Sequence, residues 1–163
     1  ITTTPLQLAK AYSIISNGGY DIKPTLIKSG ESQIRTQILN ENVSKNINNI
    51  LRKVVSSKEG TAHFADVYGY DVGGKTGTAD KVKNGIYTKD KINTFVSVFP
   101  ISNPKFVLLV LLDEPKPSKE YIYHYRDERT PYKGNWRNTA GWTTVLIVGN
   151  IIEKIGPILA TKY

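Results

Sequence analysis

The sequence predicts an α+β domain, an antiparallel sheet with covering helices. Two apolar runs, Thr94–Phe99 and Phe106–Leu112, follow the glycine-rich stretch Gly73–Ala79 across turn signals, and successive strands joined by turns make a meander. Three further stretches carry apolar residues at helical spacing and supply the cover. At 163 residues the chain is long enough for one domain that buries about two-thirds of its unfolded surface, and too short for two.

Taken in order, Thr4 is an N-cap and Pro5 a first helical residue. Leu8, Ala11, Tyr12 and Ile15 then recur on one face before Asn17-Gly18-Gly19 stops the helix. From Tyr20 to Leu39, Lys23-Pro24 and Ser29-Gly30 punctuate the short runs Thr25–Ile27 and Ile34–Leu39, a small hairpin or irregular excursion. Asn42 to Ser57 is a second helix whose stripe is Val43, Ile47, Ile50, Leu51 and Val54, ended by Gly60-Thr61-Ala62. Phe64 to Tyr70 leads into the glycine-rich stretch, and Asp80–Gly85 reads as a polar hairpin turn on its Asn-Gly pair. Ser102-Asn103-Pro104-Lys105 is the next turn. Asp113 to Thr139 is a long charged and aromatic connection with Tyr121, Tyr123 and Tyr125 in alternation, a length that is functional or mobile in a compact domain. Thr139 to Leu159 closes the chain as a helix, with Thr139 as N-cap, Val145, Val148, Ile151, Ile152 and Ile155 inside, and Pro157 as its stop.

Bulk properties exclude several classes of function. With no cysteine there is no thiol catalysis, disulfide or thiolate metal site, and two histidines are too few for a histidine metal cluster. No cofactor is implied. No stretch reaches the eighteen or so uninterrupted apolar residues of a membrane span. The chain opens at Ile1 and has no methionine, which reads as a piece of a longer protein. The net charge of +8 is compatible with a basic binding module for nucleic acid, but the lysines are scattered rather than clustered, so no nucleic-acid partner is expected.

Chemistry concentrates at Val72-Gly73-Gly74-Lys75-Thr76-Gly77-Thr78-Ala79. A lysine after a glycine pair, followed by two hydroxyls that flank a third glycine, supplies a cation, two hydroxyl donors and unobstructed backbone N–H groups for an anion. Two motifs fit. Gly69 to Thr76 matches the phosphate-cradling G-x-x-x-x-G-K-[ST] loop, and Lys75-Thr76-Gly77 matches the K-T-G element of serine acyl-transferases. The first needs a buried strand before the glycines and a helix opening at the Lys-Thr pair, whereas Ala65–Tyr68 is a poor strand and Gly77 and Gly85 follow. If Lys75–Ala79 is a strand, its pleat puts Thr76 and Thr78 on one face and Lys75 on the other. All three can then serve one site if the cleft lies along an exposed sheet edge or if glycine distorts the pleat.

The wider chain carries Thr4-Pro5-Leu6-Gln7-Leu8-Ala9, Asn17-Gly18-Gly19, Gly60-Thr61-Ala62, Gly74-Lys75-Thr76-Gly77-Thr78-Ala79, Phe99-Pro100 before Asn103-Pro104, Asp113-Glu114-Pro115-Lys116 and Thr139-Ala140-Gly141-Trp142. In that order these resemble the C-terminal part of the transpeptidase domain of class B penicillin-binding proteins, the closing helix start being most similar to the septal, cell-division type. The resemblance implies a penicillin-recognising, serine beta-lactamase-like fold and a parent D,D-transpeptidase. That parent would cross-link peptidoglycan stem peptides through a serine acyl-enzyme and be trapped by beta-lactams. It implies that Lys75 and Thr78 are catalytic, Lys75 by charge near the substrate carboxylate and Thr78 by its backbone N–H as an oxyanion donor. It implies that Thr76, Gly77 and Thr78 bind substrate. Other cell-division proteins would be partners, and the parent would sit on the extracytoplasmic face of the inner membrane, anchored by an N-terminal helix.

The family's S-x-x-K nucleophile and S-x-N loop precede the stretch resembling Thr4–Ala9, so residues 1–163 are expected to be the C-terminal part of one domain, inactive alone. Ser102–Lys105 reads S-x-x-K, but in a proline turn after K-T-G rather than at a helix start. Ser44-Lys45-Asn46 reads S-x-N at the head of an amphipathic helix. Both are expected to be coincidences.

Overall fold

A computed structural model of the chain describes residues 3–27, 35–124 and 129–163, so Ser29-Gly30, Ile34 and Tyr125 lie outside the described residues. Helix α1 (Pro5–Ser16) opens with a full capping box: Thr4 Oγ1 accepts from the Gln7 N–H, and Gln7 Oε1 accepts from the Thr4 N–H. Helix α2 (Glu41–Ser56) is capped by Asn40, whose side chain accepts from the Asn42 N–H. Between them, among the described residues of the expected excursion, Tyr20 and Gln37 form an antiparallel bridge.

The face that α2 buries differs from the predicted stripe. Leu51 is buried and Ile47 and Val54 pack against the core as expected, but Val43 and Ile50 are 44% and 61% exposed, and Ser44 and Val55 are buried in their place. The unpaired carbonyls at the end of α1 account for this, because α2 must supply donors there. Ser44 Oγ donates to the Ile15 carbonyl at 2.6 Å and accepts from the Gly18 N–H, and Asn48 Nδ2 donates to the Ser16 carbonyl. Hydrogen bonding to the neighbouring helix acts together with the apolar packing of Leu51 and Val55 to orient α2.

Strands β1 (Gly73–Lys83), β2 (Ile86–Phe99) and β3 (Phe106–Asp113) form one antiparallel sheet in the order β1-β2-β3. The predicted meander is present, and its first hairpin is longer than read. Asp80–Lys83 continues β1, and only Asn84 and Gly85, both at positive φ, turn the chain. Helix α3 (Thr144–Lys162) covers one face, where Val145, Val148 and Ile152 meet Phe95 and Phe99. Helices α1 and α2 cover the other, with Tyr12, Ile47 and Leu51 around Val98. Phe95–Phe99 is therefore buried on both sides, each large side chain contributing about 1.5–3 kcal/mol.

Helix α3 departs from expectation at both ends. Thr139 is not its side-chain cap; a 3₁₀ turn, Ala140–Trp142, intervenes, and the helix starts at Thr144. Pro157 lies inside it rather than ending it, because the bond its missing N–H forfeits is to the carbonyl of solvent-facing Glu153. Helix α3 is long and apolar enough to cross a membrane by length and composition, but its inner face is part of the sheet core.

The far end of the β1–β2 hairpin is laced by charge. Lys81 Nζ lies 2.8 Å from both Asp113 and Glu114, Lys83 Nζ lies 2.7 Å from Asp90 and 3.2 Å from Glu114, and Lys91 pairs with Asp80. Hydrogen bonds from Lys81 and then Lys83 hold the Glu114 carboxyl below its usual range, and Lys83 does the same for Asp90. Carboxyls lowered in the folded state stabilise it above their ordinary range and lose that contribution as pH falls through the lowered values. Backbone amides of residues 82–87 are accordingly expected to keep their hydrogen-exchange protection from pH 7 to 5 and to lose it below about pH 4, while Phe95–Phe99 stays protected. Loss of protection at both places together would contradict a locally charge-held arm.

Candidate active site

The glycine-rich stretch is a strand, not a loop leading into a helix. Gly73–Lys83 is β1 throughout, which removes the phosphate-loop reading of Gly69–Thr76. Glycine is required at Gly74, where a Cβ would lie 2.5 Å from the Val96 carbonyl oxygen and 2.6 Å from the Phe95 ring. The start of the strand is fixed from α2. Arg52 Nη1 donates to Asp66 at 2.8 Å and to the Val72 carbonyl at 2.9 Å, and Nε reaches Asp71 at 3.0 Å. Asp71, at φ 45, also accepts from the Ile101 and Ser102 N–H groups, tying this corner to the β2–β3 turn.

Strand β1 is an edge strand, so among the described residues one side of its backbone is unpaired. The pleat puts Thr76 and Thr78 opposite Phe95 and Asn93, on the α3 face, and Lys75 opposite Val96 on the other. Lys75 nevertheless reaches the open edge, where its Nζ donates to the Thr76 carbonyl at 2.8 Å. An antiparallel residue points its N–H and C=O the same way, and the direction repeats every second residue. The Thr78 N–H therefore faces the same open edge as the Thr76 carbonyl. Gly77 meets the sheet instead, since a Cβ there would lie 2.5 Å from Thr94 Oγ1.

A cleft of about 780 Å³ runs along this edge, lined by Thr76 and Thr78, by Thr61 from the segment after α2, and by Tyr132, Arg137 and Trp142 from the far wall. Thr61 Oγ1 and Thr76 Oγ1 are 3.0 Å apart. Thr78 Oγ1 accepts the Ala140 N–H at 3.0 Å, which leaves its own proton free to donate into the cleft. The far wall is held to the sheet by buried Asn93, whose Nδ2 donates to Asn138 at 2.8 Å and to Thr143 at 3.1 Å. Its aromatic face is built on Trp142, with the Tyr132 ring at 4.6 Å and Phe64 edge-on at 5.7 Å.

The structure thus brings Thr76, Thr78 and Lys75 to one edge, with Gly77 beneath them. Thr61, Tyr132 and Arg137 were not singled out from the sequence. Thr61 stands in the Gly60-Thr61-Ala62 that follows α2, while nothing local to Tyr132 or Arg137 marks the approach that carries them to the cleft. The two motif coincidences lie elsewhere. Ser44 is buried between α1 and α2, and Lys105 Nζ donates to the carbonyl of Tyr163.

Comparison with known proteins gives a consistent result. Residues 1–130 match the penicillin binding protein transpeptidase domain family. The chain is 32% identical to the probable peptidoglycan D,D-transpeptidase FtsI of Caulobacter vibrioides over 98% of its own length and 26% of that protein's. It is 32% identical to the stage V sporulation protein D of Bacillus subtilis over 99% of its length and 24% of that protein's. In structure it resembles the apo TP domain of Burkholderia pseudomallei penicillin-binding protein 3, with a TM-score of 0.66 at 30% identity over 91% of this chain and 41% of that one. The chain spans about a quarter of the length of these curated relatives.

The Thr78 hydroxyl joins β1 to the far wall, and removing it orphans the N–H of fully buried Ala140. Thr78→Val is expected to lower the unfolding free energy of the protein that carries this chain by about 1–3 kcal/mol, and Thr78→Ser to restore most of it. Urea denaturation of the three forms reads this directly. Equal stability of the valine and serine forms would remove the hydroxyl from the wall's support.

Proposed function

The chain belongs to the penicillin-binding protein transpeptidase domain family, and from that premise we propose that it is the C-terminal part of a peptidoglycan D,D-transpeptidase domain, supplying one wall of the active site. The observation that carries this reading is the open edge of β1, where two threonine hydroxyls line one cleft and the strand geometry turns the Thr78 N–H to the same edge.

The donor is a stem peptide ending in D-alanyl-D-alanine. Its terminal carboxylate accepts from the Thr76 and Thr78 hydroxyls, Thr61 donating to Thr76 in turn. Lys75 adds positive charge at the edge and steadies the strand through the Thr76 carbonyl. A serine outside these 163 residues attacks the penultimate D-alanine carbonyl carbon. The oxygen that becomes negative is stabilised by the Thr78 N–H, an interaction worth about 3 kcal/mol in such sites. The C–N bond breaks, D-alanine leaves with the proton taken from the serine, and the ester passes to an amine of a neighbouring strand, freeing the serine. Beta-lactams resemble the donor and stop at the ester. The septal type of the closing helix, with the FtsI relatives, supports a role in cell division alongside other division proteins, on the extracytoplasmic face of the inner membrane.

The full-length parent is expected to be labelled covalently by fluorescent penicillin and to cross-link a stem-peptide donor to an added amine, whereas residues 1–163 alone form no adduct. Lys75→Ala in the parent is expected to slow acylation on the order of a hundredfold. Stoichiometric labelling of the isolated chain would place the nucleophile inside it, and D-alanine release without cross-linking would make the parent a hydrolase.

A further inference from the structure

One charge in the cleft has no part in acyl transfer. Arg137 lines the same cavity as Thr76 and Thr78, its guanidinium carbon 5.7 Å from the centre of the Trp142 ring and 5.9 Å from that of Tyr132. Those rings are themselves in contact, and Trp142 is braced by Phe64, so the guanidinium stands on a fixed aromatic floor. Its backbone is pinned too, since its carbonyl accepts the Thr139 N–H at 2.9 Å and the next residue, Asn138, is anchored to buried Asn93.

Among the described residues the Arg137 side chain makes no ion pair and no hydrogen bond, and Glu59, the cleft's other formally charged side chain, is not its partner. A guanidinium held over rings keeps its planar fork of N–H donors for a ligand, and a carboxylate matches that fork bidentately. The cavity, at about 780 Å³, is that of a site for a drug-sized ligand, and so holds several peptide residues rather than the terminal one alone. The terminal carboxylate is already served by two hydroxyls on the opposite wall.

Resting on the transpeptidase reading, we propose that Arg137 is a specificity-determining residue that binds a carboxylate on the side chain of an inner residue of the donor peptide. The terminal carboxylate on Thr76 and Thr78 and the inner one on Arg137 then fix an extended donor at two points, with the scissile carbonyl at the Thr78 N–H.

The test uses the full-length parent and two synthetic pentapeptide donors ending in D-alanyl-D-alanine, one with a free side-chain carboxylate at an inner position and one with that group amidated. D-alanine release is followed for wild type, Arg137→Gln and Arg137→Lys. Arg137→Gln is expected to raise KM for the free-carboxylate donor about tenfold or more, to leave its kcat within about twofold, and to leave the amidated donor unchanged. Arg137→Lys recovers part of the discrimination. Equal loss on both donors with a lowered Tm would make Arg137 a support for the ring wall and overturn the proposal, as would no loss on either. Fluorescent penicillin separates the two levels. A wild type that is not labelled sinks the transpeptidase reading itself, whereas a labelled wild type whose Arg137→Gln form discriminates unchanged sinks only the role of Arg137.

Discussion

The structure depends on keeping one strand edge open without letting it move. An unpaired edge is a row of unsatisfied donors and acceptors that frays or recruits another strand. In β1 that row borders the cleft lined by Thr76 and Thr78, and among the described residues no strand pairs with it. It is held from the side instead. Arg52 clamps the residues entering the strand, the Thr61 hydroxyl meets Thr76, and the Ala140 N–H meets Thr78. Each contact uses a side chain or a backbone group off the edge and leaves the edge amides clear.

The rest of the fold follows from supplying those lateral contacts. The far wall reaches Thr78 only because the 3₁₀ turn Ala140–Trp142 sits against the sheet, and that seat is built by Asn93 reaching out of the buried strand to Asn138 and Thr143. A buried amide is costly unless bonded, so the same residue that fixes the wall also forbids it from drifting. Gly74 lets β1 lie flat on Phe95, and Phe95 is where α3 docks. Core packing and cleft geometry thus share residues, and a change in one propagates to the other through a single layer of side chains.

Much of this was legible in the sequence, and what was missed has definite physical causes. Element types and order were readable because Thr4-Pro5, Asn84-Gly85 and the runs Thr94–Phe99 and Phe106–Leu112 are local signals of caps, turns and strands. The buried face of α2 was legible only in part, in Ile47, Leu51 and Val54, because Ser44 and Asn48 turn inward to satisfy the carbonyls of α1, a tertiary demand that no periodicity records. Pro157 misled for the converse reason, since its cost depends on whether Glu153 faces solvent. At the candidate site, Lys75, Thr76 and Thr78 stand out by residue type and spacing, and an edge position is one condition for their joint use; β1 is an edge strand. Tyr132 and Arg137 stand in a long connection and are seated by contacts to Trp142 and, through Asn138, to Asn93, residues that lie outside it in sequence.

The chemistry of the described cleft hydroxyls also decides what they can do. A hydroxyl attacks only when an adjacent base takes its proton. Thr76 faces another neutral hydroxyl, and Thr78 accepts from an amide N–H, so neither meets a base there. The Lys75 ammonium is engaged with a carbonyl. These groups are arranged to donate to an anion, not to become one. Neutral hydroxyls and a lysine ammonium on one open edge can offer hydrogen bonds and positive charge to an anion, and that is the chemistry this edge supports.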